Sequence, residues 1–489
     1  MKVLFVVSTI FINEPLGALL LLSIVRREGY QVRLADLSRC DFNNEVQEFE
    51  PDVVAYSVMS ADIEHFVRAD NIVKVIMQRF DKKIFRIMGG PHPTFEPGVI
   101  DELKLDAICQ GDGDNALVEI LRKKEKGEPL DEIPNIALTA KGAKRKELFS
   151  GLETLPYIER DEEYRIAPQY ESTGLRSFIA GRGCPYTCTY CFNDAFNREF
   201  RSCGPILRRM AVDHLLNDIE YTIEKYPPVR FIRFADDGFV YKADEWFREF
   251  AEKYPKRIGI PFYCMVRPDN MSEEVAQLLS KAGCISVSMS VETGIEKFRR
   301  DIMKRNISDE VLKRSYILAR KHGIATYGNT ILGLPGTTLE DDFASLEFVR
   351  KLPITSPSFT ICIPFVGTTL WKMSVERGVL ANDAKDLNRN FWDLSPFNNL
   401  GLEEKRTQLR MKNLGALYCC APGFLAPVIK GLINSNISLR LSRRIGGTYE
   451  QYRRATRIFP HAIPRTPKTF LRIIMDIFNN IQKPVKNSQ

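Results

Sequence analysis

The sequence predicts an α/β protein: a Rossmann-like, doubly wound domain, then a partial (β/α)6 barrel, then a helical C-terminal region. Two observations predict it. Short apolar strands alternate with helical patterns through most of the 489 residues, and glycine-rich turns recur where strands end. Alternation at this spacing requires crossover connections and therefore parallel sheets. The boundaries fall at residues 1–140 for the first domain, 141–174 for a linker, 175–375 for the barrel and 376–489 for the C-terminal region.

In the first domain, Lys2–Val7 is a short apolar strand, and Leu16–Glu28 is helical in pattern up to Gly29. Gln31–Leu37 and Val53–Val58 are the next strands, and Ile63–Phe80 is a longer helix. Lys83–Met88 is a fourth strand that runs into Gly89-Gly90-Pro91-His92. Ala107–Cys109 is a fifth, followed by Gly111-Asp112-Gly113-Asp114 and a helix from Asn115. Ligands on such sheets sit beyond the carboxyl ends of the strands. The loops Asn13–Gly17, Ser57–Ala61, Gly89–Thr94 and Gly111–Asp114 all lie there. Their glycines let backbone approach a ligand closely. Taken alone, this pattern also fits a flavodoxin-like nucleotide or flavin binder, because fold does not fix function.

The linker carries the basic run Lys141–Arg145 and the charges of Glu159–Glu163, with no evident chemistry. The barrel strands are Arg176–Ala180, Phe231–Phe234, Phe262–Val266, Cys284–Val291, Ala325–Leu332 and Ser358–Ile363. Helical patterns at Ala211–Tyr226, Asp244–Tyr254, Ser272–Ala282, Asp309–His322 and Leu339–Leu352 separate them. Catalytic residues of β/α barrels sit at the C-terminal strand ends, and the motifs that follow all fall there.

Cys184, Cys188 and Cys191 follow the first barrel strand as C-x3-C-x2-C. Thiolates in so tight a loop converge on one soft metal centre, and a cubane iron–sulfur cluster fits best. Three ligands leave one iron open to a substrate or cofactor, much as an open zinc position marks a catalytic site. A structural zinc loop or three unrelated buried cysteines are the alternatives. Zinc would want a fourth Cys or His nearby, and Cys203 lies well outside that spacing. Asp236-Asp237 ends the second strand; paired carboxylates suit a metal, a cationic amine or a plain solvated turn. Ser290 and Glu292 end the fourth strand, on one face by period-two spacing. Gly328–Gly336, with Gly333 at its centre, ends the fifth.

Composition limits the function classes. Hydrophobic residues make up 44% of the chain, as in soluble globular proteins. Eleven cysteines with only three clustered are not a secreted disulfide framework. They fit a reducing cytoplasm. No segment reaches the roughly 20 apolar residues that span a bilayer. The net charge of +7 is uneven: residues 421–489 hold twelve Lys/Arg against two Asp/Glu. Nothing in that tail has the pattern of a nucleic-acid-binding motif. Thr469–Ile481 is amphipathic, which suits a helical cap on the barrel, or a basic apolar surface for a lipid-like substrate or a peripheral membrane contact.

The loop Gly181–Phe192 resembles the signature of the radical S-adenosylmethionine (SAM) superfamily, including the aromatic Tyr190 before the last cysteine. That resemblance implies a [4Fe-4S] cluster on Cys184, Cys188 and Cys191 whose open iron chelates SAM. It further implies SAM contacts at Tyr190, Asp236, Asp237, Ser290, Glu292 and Gly333, and a basic residue at Lys304. The first domain resembles the cobalamin-binding domain of one radical SAM class, through Pro15-Leu16-Gly17, Gly89-Gly90-Pro91-His92 and Gly111-Asp112-Gly113-Asp114. The last departs from the usual pattern, with Asp for Glu twice. Cobalamin contacts are thereby implied at Leu16, Gly17, Ser57, Gly89, Gly90, His92 and Gly111. The absence of an Asp-x-His-x-x-Gly motif implies a corrinoid bound without histidine on cobalt. The expected activity is methyl transfer to an unactivated carbon of a small-molecule or lipid-like substrate, with flavodoxin or ferredoxin as electron donor. A cyclase or oxidoreductase related to the anaerobic cyclase of bacteriochlorophyll synthesis is the alternative. A non-catalytic corrinoid or redox-sensing protein is the third.

Overall fold

The structure is a computed structural model describing residues 1–9, 14–171, 173–380 and 394–462. Fourteen strands, taken in chain order, organise the described residues. β1 (Lys2–Val7), β2 (Gln31–Asp36), β3 (Val53–Ser57), β4 (Phe85–Gly89), β5 (Ala107–Cys109) and β6 (Ile136–Ala137) form one sheet in the order β2-β1-β3-β4-β5-β6. β1 to β5 run parallel and β6 antiparallel. Both faces of this sheet are packed with apolar side chains, which is why its strands read as continuous hydrophobic runs. The strand order reverses between β1 and β3, the place where ligands bind on such sheets. The sequence reading missed several short elements here, the Phe42–Phe49 helix and β6 among them. The Phe42–Phe49 helix is short and capped by Asp41, and β6 has only two residues, too few to show a period.

The second sheet comprises β7 (Leu175–Phe178), β10 (Phe231–Phe234), β11 (Phe262–Met265), β12 (Cys284–Ser288), β13 (Ala325–Leu332) and β14 (Ser356–Ile361). Their order is β14-β13-β12-β11-β10-β7, all parallel, with β14 and β7 at the edges. This is the open six-stranded barrel the alternation predicts. β12 stops at Ser288, short of the expected Val291. Beyond Ser288 the Met289 and Val291 amides still donate to β13, up to the Glu292–Thr330 bridge, where Glu292 sits at φ 67°. A left-handed residue breaks strand alternation. β8 (Gly181–Arg182) and β9 (Arg208–Arg209) pair antiparallel beside the cysteine loop.

The linker is packed rather than extended. Arg160 is fully buried. Its guanidinium donates to Glu14 Oε1 at 2.7 Å, Thr222 Oγ1 at 3.1 Å and the Ser177 carbonyl at 2.7 Å. Charges that look solvated in sequence are satisfied across the seam between the two units.

Three helices, Leu402–Cys420, Ala426–Asn434 and Leu439–Arg453, follow the barrel. The first is buried along most of its length and lies against β14, where Gly415 admits the Phe359 ring. The chain then enters the N-terminal end of the barrel: Ser286 Oγ donates to the Ile458 carbonyl at 2.6 Å, and Phe459 meets Phe231 edge-on. The amphipathic stretch Thr469–Ile481 lies outside the described residues. Among the described residues, no helix is long and apolar enough to cross a membrane.

Candidate active site

The cysteine loop leaves β8 at a sharp bend. Gly183 has φ 86°, and a Cβ there would lie 2.0 Å from the Ile206 carbonyl oxygen. Asp236 holds the bend: its Oδ1 accepts the amides of Ala180 at 3.0 Å and Gly181 at 2.8 Å. Burial pushes its carboxyl up to about 7, against the pull of those two amides. Asp236 is therefore engaged with backbone. Asp237 is exposed instead, and its charge acts on the thiols of Cys184 and Cys191. Burial raises its own carboxyl, opposed by Asn193.

Within the loop, the Cys191 amide donates to the Cys188 carbonyl at 3.0 Å, and Asn197 Nδ2 donates to the Cys184 carbonyl at 2.8 Å. Burial raises the free thiol of Cys184 and pushes that of Cys191 up to about 12, and Cys188 beside them works in the same direction on both. Arg267 Nη1 lies 3.3 Å from Cys188 Sγ. The guanidinium is fixed by Asp269 (Nε to Oδ1 3.0 Å, Nη2 to Oδ2 2.9 Å) and stacks 3.6 Å from the Tyr186 ring centre. Three sulfur donors on one short loop, with a cationic N–H directed at one of them, suit an anionic iron–sulfur cluster. Among the described residues, no three His, Cys, Asp or Glu side chains gather around a single ion-sized point; a cubane seats its cysteines on separate irons and needs wider spacing.

A buried arginine gathers the motifs at the ends of the later strands. Arg305 Nη1 lies 3.4 Å from Tyr190 Oη and 3.4 Å from Glu292 Oε1, and Nη2 donates to the Ser290 carbonyl at 3.2 Å. Burial opposes its charge, but Tyr190 and Glu292 more than restore it. Ser290 and Glu292 thus meet one partner, though not through strand periodicity. Lys304, the basic residue expected here, is exposed; its neighbour Arg305 does the work. Gly333 is placed differently from expectation. Its amide donates to Asp342 at 2.9 Å, and a Cβ would lie 2.7 Å from Gln408 Nε2 of the Leu402–Cys420 helix.

In the first domain, a groove opens at the carboxyl ends of β1, β3, β4 and β5. Ser57, Gly89, Gly90 and Gly111 line it, with apolar walls from Phe5, Leu21, Cys109 and Leu117. Gly90 has φ 98° and ψ −172°, and a Cβ would lie 2.7 Å from the Val58 carbonyl oxygen. Three nominated residues lie off the groove. Leu16 is in the apolar core, and Gly17 is exposed with open space around it. His92 is buried, with Nδ1 3.1 Å from Ser60 Oγ and 3.3 Å from Glu96 Oε1. Of that helix, Ala18 and Leu21 line the groove instead.

The groove and the cysteine loop are joined. Arg182 forks onto Asp114 through two contacts of 2.7 Å, and Arg208 pairs with Asp112. A Cβ on Gly111 would lie 2.6 Å from the ring of Phe200, on the Phe192–Phe200 helix that leaves the loop.

Comparison with known proteins agrees with this geometry. The B12 binding domain family matches residues 3–121, and the Radical SAM superfamily matches residues 178–349. The chain is 26% identical over 384 residues to an uncharacterized methyltransferase of Pyrococcus horikoshii, covering 75% of this chain and 80% of that one. It is 26% identical over 321 residues to the anaerobic magnesium-protoporphyrin IX monomethyl ester cyclase of Rubrivivax gelatinosus, covering 62% and 55%. The fold is that of the radical SAM methyltransferase TsrM from Kitasatospora setae, solved with cobalamin and a [4Fe-4S] cluster bound, at a TM-score of 0.68 and 14% identity over 93% and 99% of the two chains. With its corrinoid-domain groove docked on a three-cysteine cluster loop, the chain belongs to the cobalamin-dependent radical SAM enzymes.

Proposed function

We propose that this enzyme moves a methyl group from SAM, by way of cobalamin, onto an unactivated carbon of a small molecule. The observation that carries the reading is the Arg182–Asp114 fork, which ties the rim of the first-domain groove to the residue two before Cys184. In this reading Cys184, Cys188 and Cys191 hold the cluster, and Ser57, Gly89, Gly90 and Gly111 bring backbone against the corrinoid. When bound, the cluster supplies the electron that cleaves SAM and the corrinoid carries the methyl group.

The chain's own residues then position and shield. Asp237, exposed beside the cysteine loop, would meet the SAM ammonium, while Asp236 shapes the loop through the amides of Ala180 and Gly181. Arg305 holds Glu292 and Tyr190, which would face SAM's polar groups. His92 fixes the loop after β4 through Ser60. The electron comes from a flavodoxin or ferredoxin in a reducing cytoplasm. The basic C-terminal region is the part suited to a peripheral membrane contact.

The test uses anaerobic, reconstituted full-length protein. Wild type should form 5′-deoxyadenosine and pass labelled methyl from SAM to the product. Cys188→Ala should lose both while keeping its corrinoid spectrum. Zinc in place of iron, or no 5′-deoxyadenosine from wild type, would sink the assignment. A second reading, ring closure or oxidation with the same cofactors, is favoured by the similarity to the anaerobic cyclase. Product formed without label incorporation would select it.

A further inference from the structure

The Ala426–Asn434 helix is apolar on both sides. Ala426, Ile429 and Ile433 are buried in the barrel core. The opposite side, Val428 and Leu432, with Phe424 and Leu425 just before it, stays in water; Phe424 is 78% and Val428 60% exposed. A helix apolar all round belongs in a core or in lipid, and here one side alone has a core.

The Leu439–Arg453 helix repeats the arrangement. Its Ser442 and Gly446 pack against Asn413 of the Leu402–Cys420 helix. Leu441, Ile445 and Tyr452, on the far side by spacings of four and seven residues, are exposed. Arg440 and Arg444 border that stripe and are exposed too. Both helices rest on one neighbour: Arg410 Nε donates to the Ile433 carbonyl at 2.9 Å, and Asn413 Nδ2 to Ser442 Oγ at 3.1 Å. Exposed apolar surface on this scale marks an interaction site.

Charge decides what covers it. Residues 421–462 carry seven Lys/Arg and one acid, Glu450. Glu450 is turned inward, accepting from Ser358 Oγ at 2.8 Å. Glu347 of the Leu339–Lys351 helix is taken by Lys430 and Tyr418. Apolar side chains bordered by arginines match a bilayer, whose acidic headgroups lie above an apolar layer. Nucleic acid would take up the arginines but leave the apolar side chains in water. Nine residues are too few to cross a bilayer, which takes roughly 20, so the Ala426–Asn434 helix would lie along the headgroup plane.

We propose that Phe424, Val428, Leu441 and Ile445, with Arg440 and Arg444, form a docking face for an anionic lipid bilayer. The proposal rests on the peripheral membrane contact suggested above for the basic C-terminal region, and not on the methyl-transfer chemistry.

Cosedimentation of anaerobic, full-length holoenzyme with phosphatidylcholine vesicles, with and without phosphatidylglycerol, tests this. Binding should require the anionic lipid and fall as salt screens the arginines. Arg440→Gln and Arg444→Gln should each weaken it about fivefold, the weight of one cation at an anionic surface. Val428→Asp and Ile445→Asp should each abolish it while leaving the circular dichroism of the folded chain unchanged, because both sites are exposed. In a Val428→Trp variant, brominated acyl chains should quench the new indole. No binding, equal binding to both vesicle types, or unchanged binding in the Asp variants overturns the proposal. So does an unquenched indole, which would put another part of the chain, such as Thr469–Ile481, over the helix. A dimer in sedimentation velocity that Val428→Asp dissolves also overturns it, by making the face a contact between two copies. 5′-Deoxyadenosine formation is measured in the same samples. If it persists without vesicle binding, the docking face fails alone; if it is absent while vesicles bind, the catalytic reading fails instead.

Discussion

Arg182 and Asp114 face each other as a planar fork, Nη1 to Oδ2 and Nη2 to Oδ1 at 2.7 Å each, across the seam between the first domain and the barrel. The pair is flanked by Asp112, which takes Arg208 and lies 3.4 Å from Arg182. Burial works against the Arg182 charge, but the two carboxylates overcome it and raise the guanidinium's pKa. One loop that sequence patterns assign to cofactor binding is thus also the joint between the cofactor sites.

Removing one side of that joint leaves a buried charge without its partner. Asp114→Ala should cost about 3 kcal/mol, and urea unfolding should split into two transitions as the units separate. Arg182→Met with Asp114→Leu should recover much of the loss, since apolar replacements spare both desolvation penalties. A single transition with unchanged midpoint in Asp114→Ala would show that the fork does not couple the units.

Arg267 makes a second measurable difference. An N–H donor and a positive charge beside Cys188 Sγ favour the more negative, reduced state of a bound cluster. Arg267→Gln should shift the cluster's reduction potential to more negative values in a redox titration followed by electron paramagnetic resonance. Arg267→Lys keeps the charge but loses the fork to Asp269, and should fall between. Identical potentials in all three proteins would rule out a contact with the bound cluster.

The alternation of elements and the spacing of three cysteines made the two sheets and the cluster loop legible in sequence, because both follow from periods a few residues long. What stayed hidden depends on contacts between distant segments. Arg305 and Lys304 are adjacent basic residues, and only the left-handed turn at Lys304 decides which one is buried. Asp236 and Asp237 are likewise a pair in sequence, yet one is buried and binds the backbone of Ala180 and Gly181 and the other is exposed. Arg182, Arg208 and the contact of Arg267 with Cys188 carry no local signature. Each acquires its role from a partner far away in the chain, and no strand or helix period reports that.

Asp236 gives the fold a pH dependence with a definite sign. Its carboxyl stands at about 7 in the folded protein and near the ordinary value of about 4 when unfolded. Between those values the native state holds a proton that the unfolded chain has lost. This group's contribution to stability therefore declines as pH rises from about 4 to 7 and is flat above. In Asp236→Asn that decline should vanish, because the amide stays neutral while its oxygen still accepts the amides of Ala180 and Gly181. Relative to wild type, the variant should gain stability between pH 5 and pH 8 in parallel urea series, on the same argument. Parallel profiles would mean the folded carboxyl titrates in the ordinary range.

Gly90 tests the groove through backbone alone. At φ 98° and ψ −172° it occupies a region open essentially to glycine, and its missing Cβ leaves room for the Val58 carbonyl. The same Val58 carbonyl accepts the His92 amide at 3.1 Å, so displacing it also loosens the turn that follows β4. Gly90→Ala should cost about 1–3 kcal/mol and weaken corrinoid binding by full-length protein. Gly17→Ala is the matched control, because nothing lies within 4 Å of a Cβ there. It should leave both stability and corrinoid affinity unchanged. If Gly17→Ala weakens corrinoid binding as much as Gly90→Ala does, the corrinoid reaches the exposed start of the Leu16–Arg27 helix and the groove alone does not define its site.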